Sequence, residues 1–165
     1  MTLTVSAPVP GVVTSMDEVP DPVFSDLLVG PGIAVNPPAG PLDGEITAVA
    51  PVSGVVTSLH AHAFVITTNA DESDRDSQSF SRAVLVHLGL NTVELQGEGF
   101  ALHVAPGDRV TVGQELVSWD PNDVEASGRH AICPVIALEA DRHRLELIAL
   151  AGEPVNAGDP LFIWQ

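Results

Sequence analysis

The chain has no lysine and no tyrosine, a single cysteine, and only 4% aromatic residues among its 165. Each shortage excludes something. Six Arg stand against 22 Asp and Glu, for a formal net charge of −16, so no basic surface exists to neutralise a nucleic-acid backbone and nucleic-acid binding is excluded. An acidic surface of this kind favours solubility and steers basic partners. Cys133 is alone and cannot form an intramolecular disulfide; its setting, Ile132-Cys133-Pro134-Val135-Ile136, reads as an apolar strand and makes it a core filler. No apolar run approaches the roughly 20 residues that span a bilayer. The N-terminus does not combine a basic segment with an apolar stretch of signal length. The protein is therefore expected in the cytosol, with no insertion into the membrane.

What is present is aliphatic: hydrophobic residues make up 45% of the chain, supplied mainly by Val, Ala, Leu and Ile. Short apolar runs of this composition favour buried strands over long helices, and the length suits one core, so residues 1–165 read as a single domain. An internal repeat carries most of the information. Ala7-Pro8-Val9-Pro10-Gly11-Val12-Val13-Thr14-Ser15 returns as Ala50-Pro51-Val52-Ser53-Gly54-Val55-Val56-Thr57-Ser58, with one position changed. A looser pair joins Pro106 to Leu116 with Gly152 to Leu161, both close to Gly-x-x-Val-x-x-Gly-x-x-Leu. In each unit Pro and Gly set a turn, the β-branched pair enters a strand, and the later Gly permits a tight hairpin.

Two copies of each unit predict an all-β fold, a pseudo-twofold duplicated β-sandwich. Further strands are expected at Gly32 to Val35, Glu45 to Val49, Phe64 to Thr68, Ala83 to Leu88, Leu116 to Trp119, Val135 to Leu138, Leu145 to Ala149 and Leu161 to Trp164. Helix is expected only near Asn122 to Ser127, opened by Pro121 and closed by Gly128. The polar stretch from Asn69 to Arg82 reads as a mobile hairpin loop. The Gly30-Pro31-Gly32 and Asn36 to Pro41 segments read as turns and not as phosphate cradles, because no helix pattern follows either.

Of the six histidines, three lie in apolar strand contexts: His60 and His62 in Leu59-His60-Ala61-His62-Ala63-Phe64, and His87 in Ala83-Val84-Leu85-Val86-His87-Leu88-Gly89. The period of two puts His60 and His62 on one side of an extended strand, with His87 ending a strand beside it. A buried imidazole needs partners for both nitrogens, so a histidine among Val and Leu is either bonded into a core or placed for reaction. Taken singly, each would be read as core; three together point to reaction. His103, His130 and His143 have polar neighbours and read as surface residues.

The segment from Val84 to Phe100, Val-Leu-Val-His-Leu-Gly-Leu-Asn-Thr-Val-Glu-Leu-Gln-Gly-Glu-Gly-Phe, resembles the phosphorylation-site signature of the glucose-type EIIA domain of the bacterial phosphoenolpyruvate-dependent sugar phosphotransferase system. Asp21-Pro22-Val23-Phe24 with Val29 to Ala34, Ala50 to Gly54, and His62-Ala63-Phe64 agree with the same family. The resemblance implies a duplicated β-sandwich of the barrel-sandwich-hybrid kind. It implies that His87 accepts a phosphoryl group on Nε2 and that His62 is the second imidazole contacting that group. The implied donor is the phosphohistidine of HPr and the implied acceptor a cysteine of an EIIB domain. The implied docking rim is Asp21, Val23, Phe24, Phe64, Leu88, Asn91, Val93 and Glu94, with Phe24 expected in a loop. No cofactor or metal is required; His62 and His87 could bind a regulatory zinc if a partner supplied a carboxylate.

The chain departs from the family at His60, where Thr is usual two residues before the supporting histidine, and at Asn91, commonly Asp. Were His60 to disable transfer, the same rim would serve a purely regulatory protein-binding module. A biotinyl or lipoyl carrier shares the hybrid-sandwich pattern but needs a lysine, and there is none. A zinc peptidase of the LytM type could use His60, His62 and His87 as ligands, but its His-x-x-x-Asp pair is absent.

Overall fold

Short β-branched runs punctuated by Pro and Gly give strands of two to seven residues in the computed structural model, which describes residues 2–37, 44–68 and 82–165. In chain order these are β1 (Leu3–Ser6), β2 (Gly11–Ser15), β3 (Gly32–Asn36), β4 (Ile46–Val49), β5 (Gly54–His60), β6 (Ala63–Thr67) and β7 (Ala83–His87). After them come β8 (Ala101–Leu102), β9 (Arg109–Val110), β10 (Glu115–Trp119), β11 (Cys133–Ala137), β12 (Leu145–Leu147), β13 (Pro154–Val155) and β14 (Pro160–Trp164). Helix among the described residues is limited to α1 (Pro22–Ser25), α2 (Pro121–Ala126) and three 3₁₀ turns. In α2 the Asp120 carboxylate accepts from Asn122 N–H at 2.9 Å and Pro121 takes the first helical position, the opening expected from sequence. The single turn α1 was not expected, although Asp21-Pro22 carries the same signal.

The strands form an eight-stranded sheet in the order β13-β2-β3-β11-β7-β6-β5-β9, with two three-stranded sheets, β1-β14-β12 and β4-β10-β8. One core lies between them. Val13, Val35, Val56, Phe64, Ile66, Val84, Val86 and Val135 of the large sheet meet Val5 and Phe162 of one small sheet and Leu116, Val117 and Trp119 of the other. Cys133 is fully buried in the same core, as its sequence setting implied.

The repeat is a structural duplication. Ser6 N–H donates to Pro51 O and Val49 N–H to Pro8 O, both at 2.9 Å, so the two copies bond to each other symmetrically. Likewise Val13 N–H to Glu153 O matches Val56 N–H to Asp108 O, each at 2.9 Å. β13 pairs with β2 as β9 pairs with β5. The axis passes through the Val86 and Val135 pair of β7 and β11. The repeat keeps glycine at Gly11 and Gly54 because a Cβ there would lie 2.1 Å from Asn36 O and 2.4 Å from Thr67 O of the neighbouring strand.

One strand is shorter than expected. β5 stops at His60, Ala61 and His62 form a two-residue turn, and His60 pairs with Ala63; one histidine thus ends a strand while the other lies in the hairpin turn, and the two do not alternate along one strand. The apolar run Ala63 to Thr67 returns the chain beside β7, where the buried residues it supplies have their partners. Residues 69–81 and 38–43 lie outside the described residues, so the loop expected from Asn69 and most of the Asn36 to Pro41 turn fall there. No described helix is long and apolar enough to cross a membrane.

Candidate active site

Alternation along β7 decides the site. Val84 and Val86 point into the core with no exposure, so Leu85 and His87 face outward. Register places Ala63 opposite His87, and the tight turn before Ala63 sets His62 next to it. The backbone closes the corner, Leu88 N–H donating to His62 O at 2.7 Å. The ring centroids of His62 and His87 are 5.1 Å apart, inclined at 65°.

On the far side of His87 stands Phe24, centroid to centroid 5.4 Å and edge-on at 61°. Phe24 belongs to α1, whose start is fixed by the Asp21 carboxylate accepting from Val23 N–H at 3.0 Å. It is buried with Met16, Val19, Ala34, Leu90, Ile132 and Ile136 in a second apolar cluster on the outer face of the large sheet. Phe24 therefore works as a wall for His87 and not as the loop residue expected from sequence.

The turn after β7 fixes the tautomer. His87 Nδ1–H donates to Gly89 O, which leaves the Nε2 lone pair free. Gly89 has φ +80, and a Cβ there would meet Thr92 Cγ2 at 2.8 Å and His130 O at 2.9 Å. Thr92 Oγ1 donates to Leu88 O at 2.8 Å and Leu90 N–H to His130 O at 2.8 Å, tying the turn down on both sides. Gly89 and Thr92 hold the turn that orients the His87 ring, and the sequence reading did not assign them. The signal was the glycine two residues after the histidine, the spacing at which a carbonyl turns back to Nδ1.

Burial pushes the His87 pKa down, opposed by the bond to Gly89 and by the Asp21 carboxylate. His62 is lowered to about 4, first by burial and then by the proximity of His87 and His60. Both rings are consequently neutral near pH 7, the state in which an imidazole nitrogen is a nucleophile.

The expected rim divides. Val23 is 45% and Val93 58% exposed, and Asn91 and Glu94 are also at the surface, with Asp21 half-buried. Phe64 and Leu88 are not on the rim: both point inward and are 1% and 0% exposed, because alternation assigns them to the core face. Asn91 has a backbone role, adopting φ 58, a left-handed conformation that asparagine tolerates better than most residues. Arg129 donates to its carbonyl at 3.2 Å and pairs with Glu94 at 3.5 Å. His103, His130 and His143 are exposed, as expected. Among the described residues no three His, Cys, Asp or Glu are grouped to hold a metal.

Over residues 3–143 the sequence matches the family described as phosphoenolpyruvate-dependent sugar phosphotransferase system, EIIA 1. The chain belongs to this family. The glucose-specific EIIA component of Oceanobacillus iheyensis is 35% identical over 161 residues, covering 95% of this chain and 86% of that protein. The β-glucoside-specific EIIBCA component of Bacillus subtilis is 35% identical over 151 residues, 90% of this chain and 22% of that much longer one. The solved glucose permease IIA from Mycoplasma capricolum has a TM-score of 0.81 at 32% identity and covers 99% of this chain and 96% of its own. This EIIA chain thus has the duplicated sandwich of a phosphotransferase component.

Proposed function

We propose that this EIIA carries a phosphoryl group on Nε2 of His87, taken from the phosphohistidine of HPr and handed to a cysteine of an EIIB domain in the cytosol. The observation that carries the proposal is the pairing of two neutral imidazoles 5.1 Å apart on the outer face of the sheet, one with its Nδ1 proton committed to Gly89 O. In the accepting step the donor P–N bond breaks and its electron pair returns to the donor nitrogen. The His87 Nε2 lone pair forms the new P–N bond. Because the proton stays on Nδ1, hydrogen-bonded to Gly89 O, the phosphorylated ring is cationic, a good leaving group for the next transfer.

Phosphoryl transfer runs through a loose in-line transition state, so the site must supply placement and donors to the equatorial oxygens. His62, alongside, is such a donor. Loss of one such group costs about 10²-fold in comparable anion-stabilising sites. The exposed Val23 and Val93 with Asp21 and Glu94 suit a partner that is apolar at the centre and basic around it. A regulatory zinc could draw two ligands from His62 and His87 and would need the remainder from a docked partner.

The test is incubation with phosphoenolpyruvate, enzyme I and HPr, read by intact mass. A gain of one phosphoryl group, absent in His87→Gln, is expected; no gain on the native chain with competent donors would leave a protein-binding module. His62→Gln should still accept phosphate and donate poorly to EIIB. Unimpaired donation would show that its role is misassigned.

A further inference from the structure

The rings on the outer face form a row. From the buried Phe24, centroid spacings of 5.4 Å to His87, 5.1 Å to His62 and 5.7 Å to His60 carry it to the exposed end of β5. All three lie within the 4.5–7 Å at which aromatic pairs hold one another. The four members are not fixed equally. His87 has Phe24 on one side and Gly89 O on Nδ1. His62 sits in a two-residue turn, and neither of its ring nitrogens bonds a described protein group; its ring neighbours are His87 and His60.

We infer that His60 is a positioning residue for transfer, its ring forming the outer stop that keeps the His62 imidazole against the phosphoryl site on His87. The inference rests on the proposed role of His87 and extends it. The pairing of His60 with Ala63 across the turn holds its backbone in the sheet, and its ring lies alongside that of His62, tilted 31° to it. Without that ring, His62 retains contact on one side only and rotates into solvent. An imidazole that visits the reactive pose part of the time donates to the phosphoryl oxygens in proportion to that time. His60 itself need not touch the phosphoryl group.

His60 is exposed, so substitution there leaves the core intact. Single-turnover transfer from phospho-HPr, and from the loaded chain to EIIB, should be measured for native, His60→Ala and His60→Phe, each with a melting curve. In His60→Ala the rate constant at saturating partner should fall about 2- to 10-fold, the scale of one ring contact, with half-saturation unchanged. His60→Phe should restore most of it. In ¹⁵N-edited NMR the His62 ring of the Ala variant should lose its fixed-rotamer couplings, and the Phe variant should keep them. A native rate in His60→Ala, a change in half-saturation alone, or a Phe variant as slow as Ala would overturn the inference. If the native chain gained no phosphoryl group, the assignment of His87 would fall first and this one with it; loading at His87 with an indifferent residue 60 would sink this one alone.

Discussion

Replacing Gly89 by alanine tests the turn that aims His87. The residue has φ +80, and the added Cβ would stand 2.8 Å from Thr92 Cγ2 and 2.9 Å from His130 O. Neither neighbour yields easily. Thr92 is fully buried and its hydroxyl is bonded to Leu88 O at 2.8 Å, while His130 O is backbone already engaged by Leu90 N–H. A left-handed conformation costs an L-residue about 1–2 kcal/mol, and overpacking adds about 1–3 kcal/mol. The expected loss is therefore about 2–5 kcal/mol, seen as a lower urea midpoint with an unchanged slope. In a chain of this length each kcal/mol lowers the melting temperature by about 2–4 °C. Because the shifted turn moves Gly89 O from Nδ1, His87 should also populate the tautomer protonated on Nε2, which cannot attack phosphorus. That appears in ¹⁵N shifts of the ring and as slower phosphorylation of the folded fraction. A variant within about 0.5 kcal/mol of native, with native tautomer signals, would refute both the steric and the positioning argument.

Core and rim should respond oppositely. Phe64→Ala should lose about 3–5 kcal/mol of stability with little change in partner affinity of the folded protein, whereas Val93→Asp should weaken docking and leave the urea midpoint near native. Titration of stability provides another check. His62 has its folded pKa lowered to about 4, so below about pH 6.5 the unfolded chain binds a proton that the folded chain refuses, and stability falls as pH drops from 6.5 toward 4. His62→Gln should flatten that fall in urea midpoints measured across the window; an equally steep profile would contradict the assignment. Cys133, fully buried and with its thiol pushed up to about 12 by burial, should resist alkylation in the native protein and react on unfolding.

Strand patterning was legible because alternation and repeats are local properties. Val84 and Val86 against His87 could be read from one strand, and the nine-residue repeat located both halves of the sandwich before any pairing was known. What could not be read depends on where a strand ends. His60 and His62 share the spacing of a strand face, but the chain turns between them, and no glycine or asparagine marks the turn. Phe64 and Leu88 were placed on the rim by the family resemblance, but Leu88 adjoins His87 and Phe64 adjoins Ala63, the residue paired with His87. In a strand, adjacency means the opposite face. Phe24 was misplaced for a related reason: one turn of helix is set by a single cap, Asp21, and its burial depends on a cluster gathered from four separate segments.

Duplication alone would give two equivalent histidine pairs, and among the described residues only one half has such a pair. About the axis through Val86 and Val135, His87 corresponds to Ile136 and His62 to Pro31, and the bond from Leu88 N–H to His62 O at 2.7 Å is matched by Ala137 N–H to Pro31 O at 2.9 Å. The backbone is preserved; the connections differ. Between β5 and β6 a two-residue turn holds His62 up beside His87. Between β2 and β3, residues 16–31 instead lay Met16, Val19 and Phe24 over Ile136 and bury it completely. That longer connection also reaches across the axis, where Phe24 meets His87 edge-on at 5.4 Å. The half without the histidine pair therefore supplies the wall for the half that has it, so shortening the 16–31 connection should cost His87 its aromatic support and not merely trim a surface loop.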